Sequence, residues 1–428
     1  MSRVASLVKR VGSKRAVKHA SWMLGAQGAN LGIQGAYFLL LARLLGAYQY
    51  GVFSGAYALV NTVVPYTALG ASMLFMRYVT HDPKNARTYW GNAIAIICIL
   101  GLFITGTLFV IGPRIAKVGS GYLYVLLALG FGLFSQIVSV GAAVFQTIGK
   151  LEFTAILTAT GNAIRLVVLI FMALLLGHAT ALQLAIGLLI ASMIACTWTI
   201  VAVRKAIGTM QPNWLLLRKR LGEGFGFSFA GTTQAIYNDI DKMVLSRDGY
   251  VLQNGAYSLA YRIVDFATSP VIAVDTVVLP KFFALSKDRV RNTLPLLFRT
   301  VFITGGISIL IALGLVLASP LVLHVVGKDY APVSAALIWL SPLPFLRALH
   351  RLVGGVLTGS GHQNFRTAIQ LFVAVLNAVL NMLLVPGRGW IAAAWVSLIS
   401  DGMLALLAII VLALLFQKQE RDALKPTT

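Results

Sequence analysis

Residues 89–111 read YWGNAIAIICILGLFITGTLFVI, 23 positions without one charged side chain. A helix of that length rises roughly 34 Å at ~1.5 Å per residue, enough to cross the ~30 Å hydrocarbon core of a bilayer. Stretches of the same kind recur on both sides of it. Twelve spans are expected, at about 20–42, 52–76, 89–111, 121–147, 153–177, 179–203, 225–247, 252–280, 294–318, 331–357, 364–386 and 389–416. The connections between them are short, so no soluble catalytic module has room to fold outside the bilayer. Composition agrees, since 58% of the 428 residues are hydrophobic and only 11% are charged, with a mean hydropathy of +0.84. The expected fold class is therefore all-α, a polytopic membrane protein of about twelve helices.

The formal charge is +22. In a soluble protein that would suggest a nucleic-acid partner; here none is expected, because the basic residues follow the loops. Lys and Arg are retained on the cytoplasmic side of a membrane. With the N-terminus inside, 23 of the 35 basic residues fall in cytoplasmic segments and six, Arg43, Arg114, Lys117, Arg247, Lys328 and Arg388, in the opposite loops. Both termini are then cytoplasmic. The apolar run after the basic start contains Gln27, Asn30 and Gln34 and is too long for a cleaved signal, so it reads as a retained first span. Cys98 and Cys196 lie inside apolar segments and suggest neither a disulfide nor a metal cluster. No cofactor is implied.

The chain also repeats itself. Gly51-Val-Phe-Ser-Gly-Ala-Tyr57 parallels Gly255-Ala-Tyr-Ser-Leu-Ala-Tyr261, and Phe145-Gln-Thr-Ile-Gly-Lys-Leu-Glu-Phe153 parallels Leu357-Thr-Gly-Ser-Gly-His-Gln-Asn-Phe365. These offsets imply a duplicated six-helix unit, an architecture shared by alternating-access transporters. The expected organisation is a basic tail at 1–19, an N-terminal lobe at 20–203, a cytoplasmic interfacial linker at 204–224, a C-terminal lobe at 225–416 and a tail at 417–428, with the two lobes around a central cavity.

Six cations remain inside the spans: Arg165, Lys242, Arg262, Arg299, Arg347 and Arg351. A charge at mid-bilayer costs on the order of 3 kcal/mol unless it faces water or a partner. Arg299 is close enough to the span end to snorkel. Arg165 and Arg262 are not; Asn162 shares the face of the first, and Ser258 and Asp265 that of the second, so both faces are expected to line water or protein. For Arg262 an ion pair with Asp265 is the plain alternative to a binding role. Arg347 and Arg351 stand one turn apart after Pro342 and Pro344, and two guanidinium forks on one face suit a diphosphate; snorkelling is the alternative. Lys242 and Asn238 lie on a polar face of span 7, and Asn30 and Gln34 on one of span 1. Asp239, Asp241 and Asp265 are candidates for binding a coupling cation. The six histidines are scattered, and each reads as structural.

Asp239-Ile-Asp-Lys-Met-Val-Leu-Ser246 with Asn254-Gly-Ala-Tyr-Ser-Leu-Ala-Tyr-Arg262, Leu44-Leu-Gly-Ala-Tyr-Gln-Tyr-Gly-Val-Phe53 and Leu376-Asn-Ala-Val-Leu-Asn-Met-Leu-Leu-Val-Pro386 resemble the oligosaccharide flippase family of the multidrug/oligosaccharidyl-lipid/polysaccharide exporter superfamily, over essentially the whole chain. The resemblance implies a flippase of the bacterial cytoplasmic (inner) membrane and not an enzyme. Its substrate would be an undecaprenyl-diphosphate-linked oligosaccharide, an O-antigen unit for lipopolysaccharide or an exopolysaccharide repeat unit. A cationic cavity would hold the diphosphate, and Na+ or H+ would drive the cycle. Expected partners are that lipid-linked oligosaccharide, the phospholipid bilayer, a polysaccharide polymerase and a chain-length regulator. The alternative is a cation-coupled exporter of drugs or metabolites from the same superfamily.

Overall fold

In this computed structural model the backbone is described for residues 14–285 and 290–423, and the side chains for residues 32–285 and 290–421. The side chains of Gln27 and Asn30, the first thirteen residues, Lys287, Arg289 and Lys425 lie outside the described residues. Every regular element among the described residues is helical: α1 Lys14–Ala68, α2 Ala71–Val79, α3 Ala86–Ala116, α4 Gly121–Thr147, α5 Leu151–Leu176, α6 Ala181–Ile207, α7 Trp214–Arg247, α8 Val251–Ala267, α9 Ser269–Leu285, α10 Leu294–Val326, α11 Pro332–Leu340, α12 Leu343–Gly359, α13 Gln363–Arg388 and α14 Trp390–Ala423.

Among the described residues nine helical stretches are long and apolar enough to cross a bilayer, and α8 with α9, bent by 44° at their junction, makes a tenth. The count of twelve is reached through two places where simple apolarity misleads. First, the stretch Gly32–Val79 contains Gly46, whose φ of 67° and ψ of 168° leave helical space. Such a backbone favours glycine. Gln34 and Tyr57 line the same cavity, which a straight helix would forbid by separating them ~35 Å; the chain therefore doubles back at Gly46 and α1 supplies two crossings. Second, α7 is 34 residues long but carries Arg218, Lys219, Arg220, Asp239, Asp241 and Lys242, so it fails on polarity and not on length. Trp214 and Leu215 at its start are exposed, and α7 runs on from them without a break.

Large apolar side chains face outward on α3, α5 and α10, with Phe103 at 71%, Leu174 at 80% and Phe302 at 85% exposure. In water these would be aggregation patches; in lipid they are the solvated surface. Helices α2 to α6 pack against one another and against α1, while α9 to α14 pack among themselves, and α1 joins the two sets through α7 and α8. At that seam the sequence repeat meets itself. A Cβ on Gly51 would lie 1.8 Å from the Val251 carbonyl oxygen, and one on Gly255 would lie 1.8 Å from the Ala47 carbonyl oxygen. The duplicated glycines thus let two repeat-related helices touch backbone to backbone.

Candidate functional site

Helical spacing brings four polar faces together. On α1 these are Gln34, Tyr37 and Phe38 before the Gly46 turn and Tyr50, Phe53, Ser54 and Tyr57 after it; on α5, Asn162 and Arg165; on α8, Ser258 and Arg262, each set at intervals of three or four residues. With Phe131 of α4 and Lys242 of α7 they enclose a cavity of ≈ 250 Å³. Among the described residues six aromatic rings and three cations line it, and no Asp or Glu does.

Arg165 donates from Nη2 to Ser135 Oγ at 3.1 Å, and its guanidinium carbon stands 5.5 Å from the Phe131 ring centre. Among the described residues no carboxylate pairs with it. Arg262 lies 5.3 Å from the Phe38 ring and faces Asp265 only loosely, at 3.9 Å. Lys242 is more committed: it is buried, donates to the Asn238 carbonyl at 2.5 Å, and pairs with Asp241 at 3.1 Å and Asp239 at 3.4 Å. Asp239 in turn accepts from Asn61 Nδ2 at 2.8 Å, and Asp241 from the Tyr257 hydroxyl at 2.7 Å.

A second ionic cluster lies behind the cavity, between α7, α8, α12 and α14. Arg347 Nη1 contacts Asp265 Oδ1 at 2.6 Å and its Nε contacts Asp401 Oδ2 at 3.4 Å. Tyr237 donates its hydroxyl to Asp401 Oδ1 at 2.5 Å, and His350 Nε2 is 3.5 Å from the same oxygen. Asp401 is 1% exposed. An unpaired carboxylate there would be very costly, and Arg347, Tyr237 and His350 are its partners.

Set against the sequence reading, the structure brings Arg165, Arg262, Lys242 and Gln34 to one cavity. It does not bring Arg347 there as a free cation, because two carboxylates already engage it. Arg351, one turn on, is half-buried and stands within electrostatic range of Asp275. Asn238 is exposed, its side-chain oxygen accepting from Gln234 at 3.3 Å, and Asn30 has no described side chain. Asp239, Asp241 and Asp265 each face a fixed Lys or Arg rather than an open cation site, and no group of three or more His, Cys, Asp or Glu suited to a metal occurs among the described residues. Asp401, which stands outside the sequence candidates, joins this cluster together with His350. The signal existed, since Asp401 is the only charged residue between Arg388 and Lys418.

The model of the family described as polysaccharide biosynthesis protein matches residues 16–286, well over half of the sequence. The chain belongs to that family. None of the curated proteins matches it. Among solved structures, a multidrug resistance MATE family transporter of the MOP superfamily in its inward-facing conformation is similar at a TM-score of 0.74 and 15% identity, over 91% of this chain and 95% of that one. The lipid II flippase MurJ in its inward closed conformation gives 0.73 at 15% identity, over 91% and 86%. An outward-facing MATE family transporter gives 0.57 at 15% identity, over 91% and 94%. At such identity the likeness shows the fold alone, the helical bundle that these solved structures share.

Proposed function

We propose that this protein moves an undecaprenyl-diphosphate-linked oligosaccharide, an O-antigen or exopolysaccharide repeat unit, from the inner to the outer leaflet of the bacterial cytoplasmic membrane. The observation that carries the reading is the cavity wall: Arg165, Arg262 and Lys242 with six aromatic rings and no acid among the lining residues. Guanidinium groups in a low-dielectric site bind phosphate oxygens strongly and in bidentate geometry, and flat aromatic faces suit the apolar faces of sugar rings. A cationic drug would meet Arg165 and Arg262, the two wall cations that no carboxylate among the described residues holds closely.

At ≈ 250 Å³ the cavity is below the roughly 300–1,000 Å³ usual for ligand sites, so it admits the diphosphate and its nearest sugar only after the halves separate. Alternating access supplies that separation: residues 20–203 and 225–416 rock as two lobes about the cavity while the polyprenyl chain stays in lipid. The deciding experiment is complementation of a deletion strain with Arg165→Ala and Arg262→Ala variants. Surface glycan should fall while protein in the membrane stays at the wild-type level; full export by both variants overturns the reading.

A further inference from the structure

The cluster behind the cavity contains a titratable group for which anion binding has no use. His350 is half-buried on α12, with Nε2 3.5 Å from Asp401 Oδ1. Histidine is the side chain whose charge ordinarily changes between pH 5 and 8. The groups that face it are Asp401 from α14, Arg347 and Arg351 from its own helix, Asp275 from α9, and, through the same ionic cluster, Asp265 from α8 and Tyr237 from α7. Arg366 of α13 acts on the same Asp275. Arg299 and His324 of α10 are exposed.

From His350 the contacts run in one line to the cavity: His350 to Asp401 at 3.5 Å, Asp401 to Arg347 at 3.4 Å, Arg347 to Asp265 at 2.6 Å, and Asp265 to Arg262 at 3.9 Å. The last is the longest, and Arg262 is the member that lines the cavity. Along the line of contacts and the cavity wall, Arg165, Lys242, Arg262 and Arg347 stand against Asp239, Asp241, Asp265 and Asp401. One added proton makes the balance positive.

We propose that His350 and Asp401 form a proton-binding site that sets how much of the Arg262 charge is presented to the cavity. When His350 takes a proton on the nitrogen facing Asp401, the imidazolium donates to Asp401 and satisfies that carboxylate. Arg347 then commits to Asp265, which it already touches, and Asp265 is drawn from Arg262. The freed guanidinium faces the cavity and attracts an anion. Loss of the proton reverses each exchange, so proton and anion favour one another's binding, as linkage requires of two coupled sites. The identity of that anion rests on the flippase reading; the control of cavity charge does not.

The test reads cavity charge directly. In protein reconstituted with Cys98 and Cys196 replaced by Ala, Gln34→Cys places one thiol on the cavity wall. Its rates of reaction with an anionic and with a cationic methanethiosulfonate are compared at about pH 6 and about pH 8. Their ratio cancels the fraction of thiolate. The anionic preference should rise about fivefold toward low pH, and should be flat in a His350→Gln background and both low and flat with Arg262→Gln. His350→Asn serves as a second background should His350→Gln not fold. A ratio indifferent to pH, or a rise that survives both His350 substitutions, overturns the proposal. Normal glycan export by the Arg165→Ala and Arg262→Ala strains would instead remove the flippase reading and leave these rates standing.

Discussion

Arg165 is the cation with the least to hold it, a single hydroxyl at 3.1 Å and a ring face. A charge-assisted hydrogen bond contributes about 1.5–3 kcal/mol, so Arg165→Ala should reduce glycan export by roughly tenfold or more. Arg165→Lys, which keeps the charge without the planar fork, should fall between, as read from surface glycan at equal expression. Asp401 makes the opposite case: it is already fully engaged by Arg347, His350 and Tyr237, so its loss should show in stability. Asp401→Asn leaves Arg347 and its neighbours facing a neutral amide in a site 1% exposed, and breaking a buried pair costs about 3–5 kcal/mol. A fall of several degrees or more in the detergent-solubilised melting temperature is expected; an unchanged value would mean Arg347 is satisfied by Asp265 alone. The contrast explains what the sequence could and could not say of individual residues. Intramembrane arginines are visible as anomalies in an apolar run, and two of them, Arg165 and Arg262, do line the cavity. Which arginines are neutralised depends on carboxylates more than 50 positions away, such as Asp401 for Arg347, and no helical periodicity encodes that pairing.

At the scale of helices, the apolar spans were legible because bilayer thickness leaves so few choices; their interruptions were less so. The Gly46 reversal is carried by one residue with φ of 67°, and the Ser341–Pro342 break before α12 by the prolines that the sequence flagged. The reciprocal contact of Gly51 and Gly255 was half legible: the repeat identified the two glycines as equivalents, but not that they touch. Their contact makes a testable device. A methyl group on Gly255 would have to sit 1.8 Å from the Ala47 carbonyl oxygen, which no side-chain adjustment can relieve, so α1 and α8 must part. Gly255→Ala should therefore favour separation of these helix ends, seen as faster thiol labelling of a cysteine placed at Val251, which is 8% exposed. Wild-type labelling in that variant would show that the helices slide rather than open.

For the molecule as a whole, the two halves of the bundle are held together by a seam at the Gly46 end of α1. There Gly51 and Gly255 touch and the Tyr330 hydroxyl donates to the Ala42 carbonyl at 2.8 Å, joining the α10–α11 connection to α1. The flippase reading requires such contacts to be exchanged for others, which needs two arrangements that differ little in free energy. One buried hydrogen bond contributes about 1 kcal/mol, enough to change a two-state ratio roughly fivefold. Tyr330→Phe deletes that bond and little else. With spin labels on His178 and Lys328, exposed sites in loops on either side of the seam, the variant should show a larger share of long distances than the parent, and the share should grow again with Gly255→Ala added. If both variants keep the parent distance distribution, this end of the bundle is not the moving gate, and the halves must part elsewhere along α1 and α7.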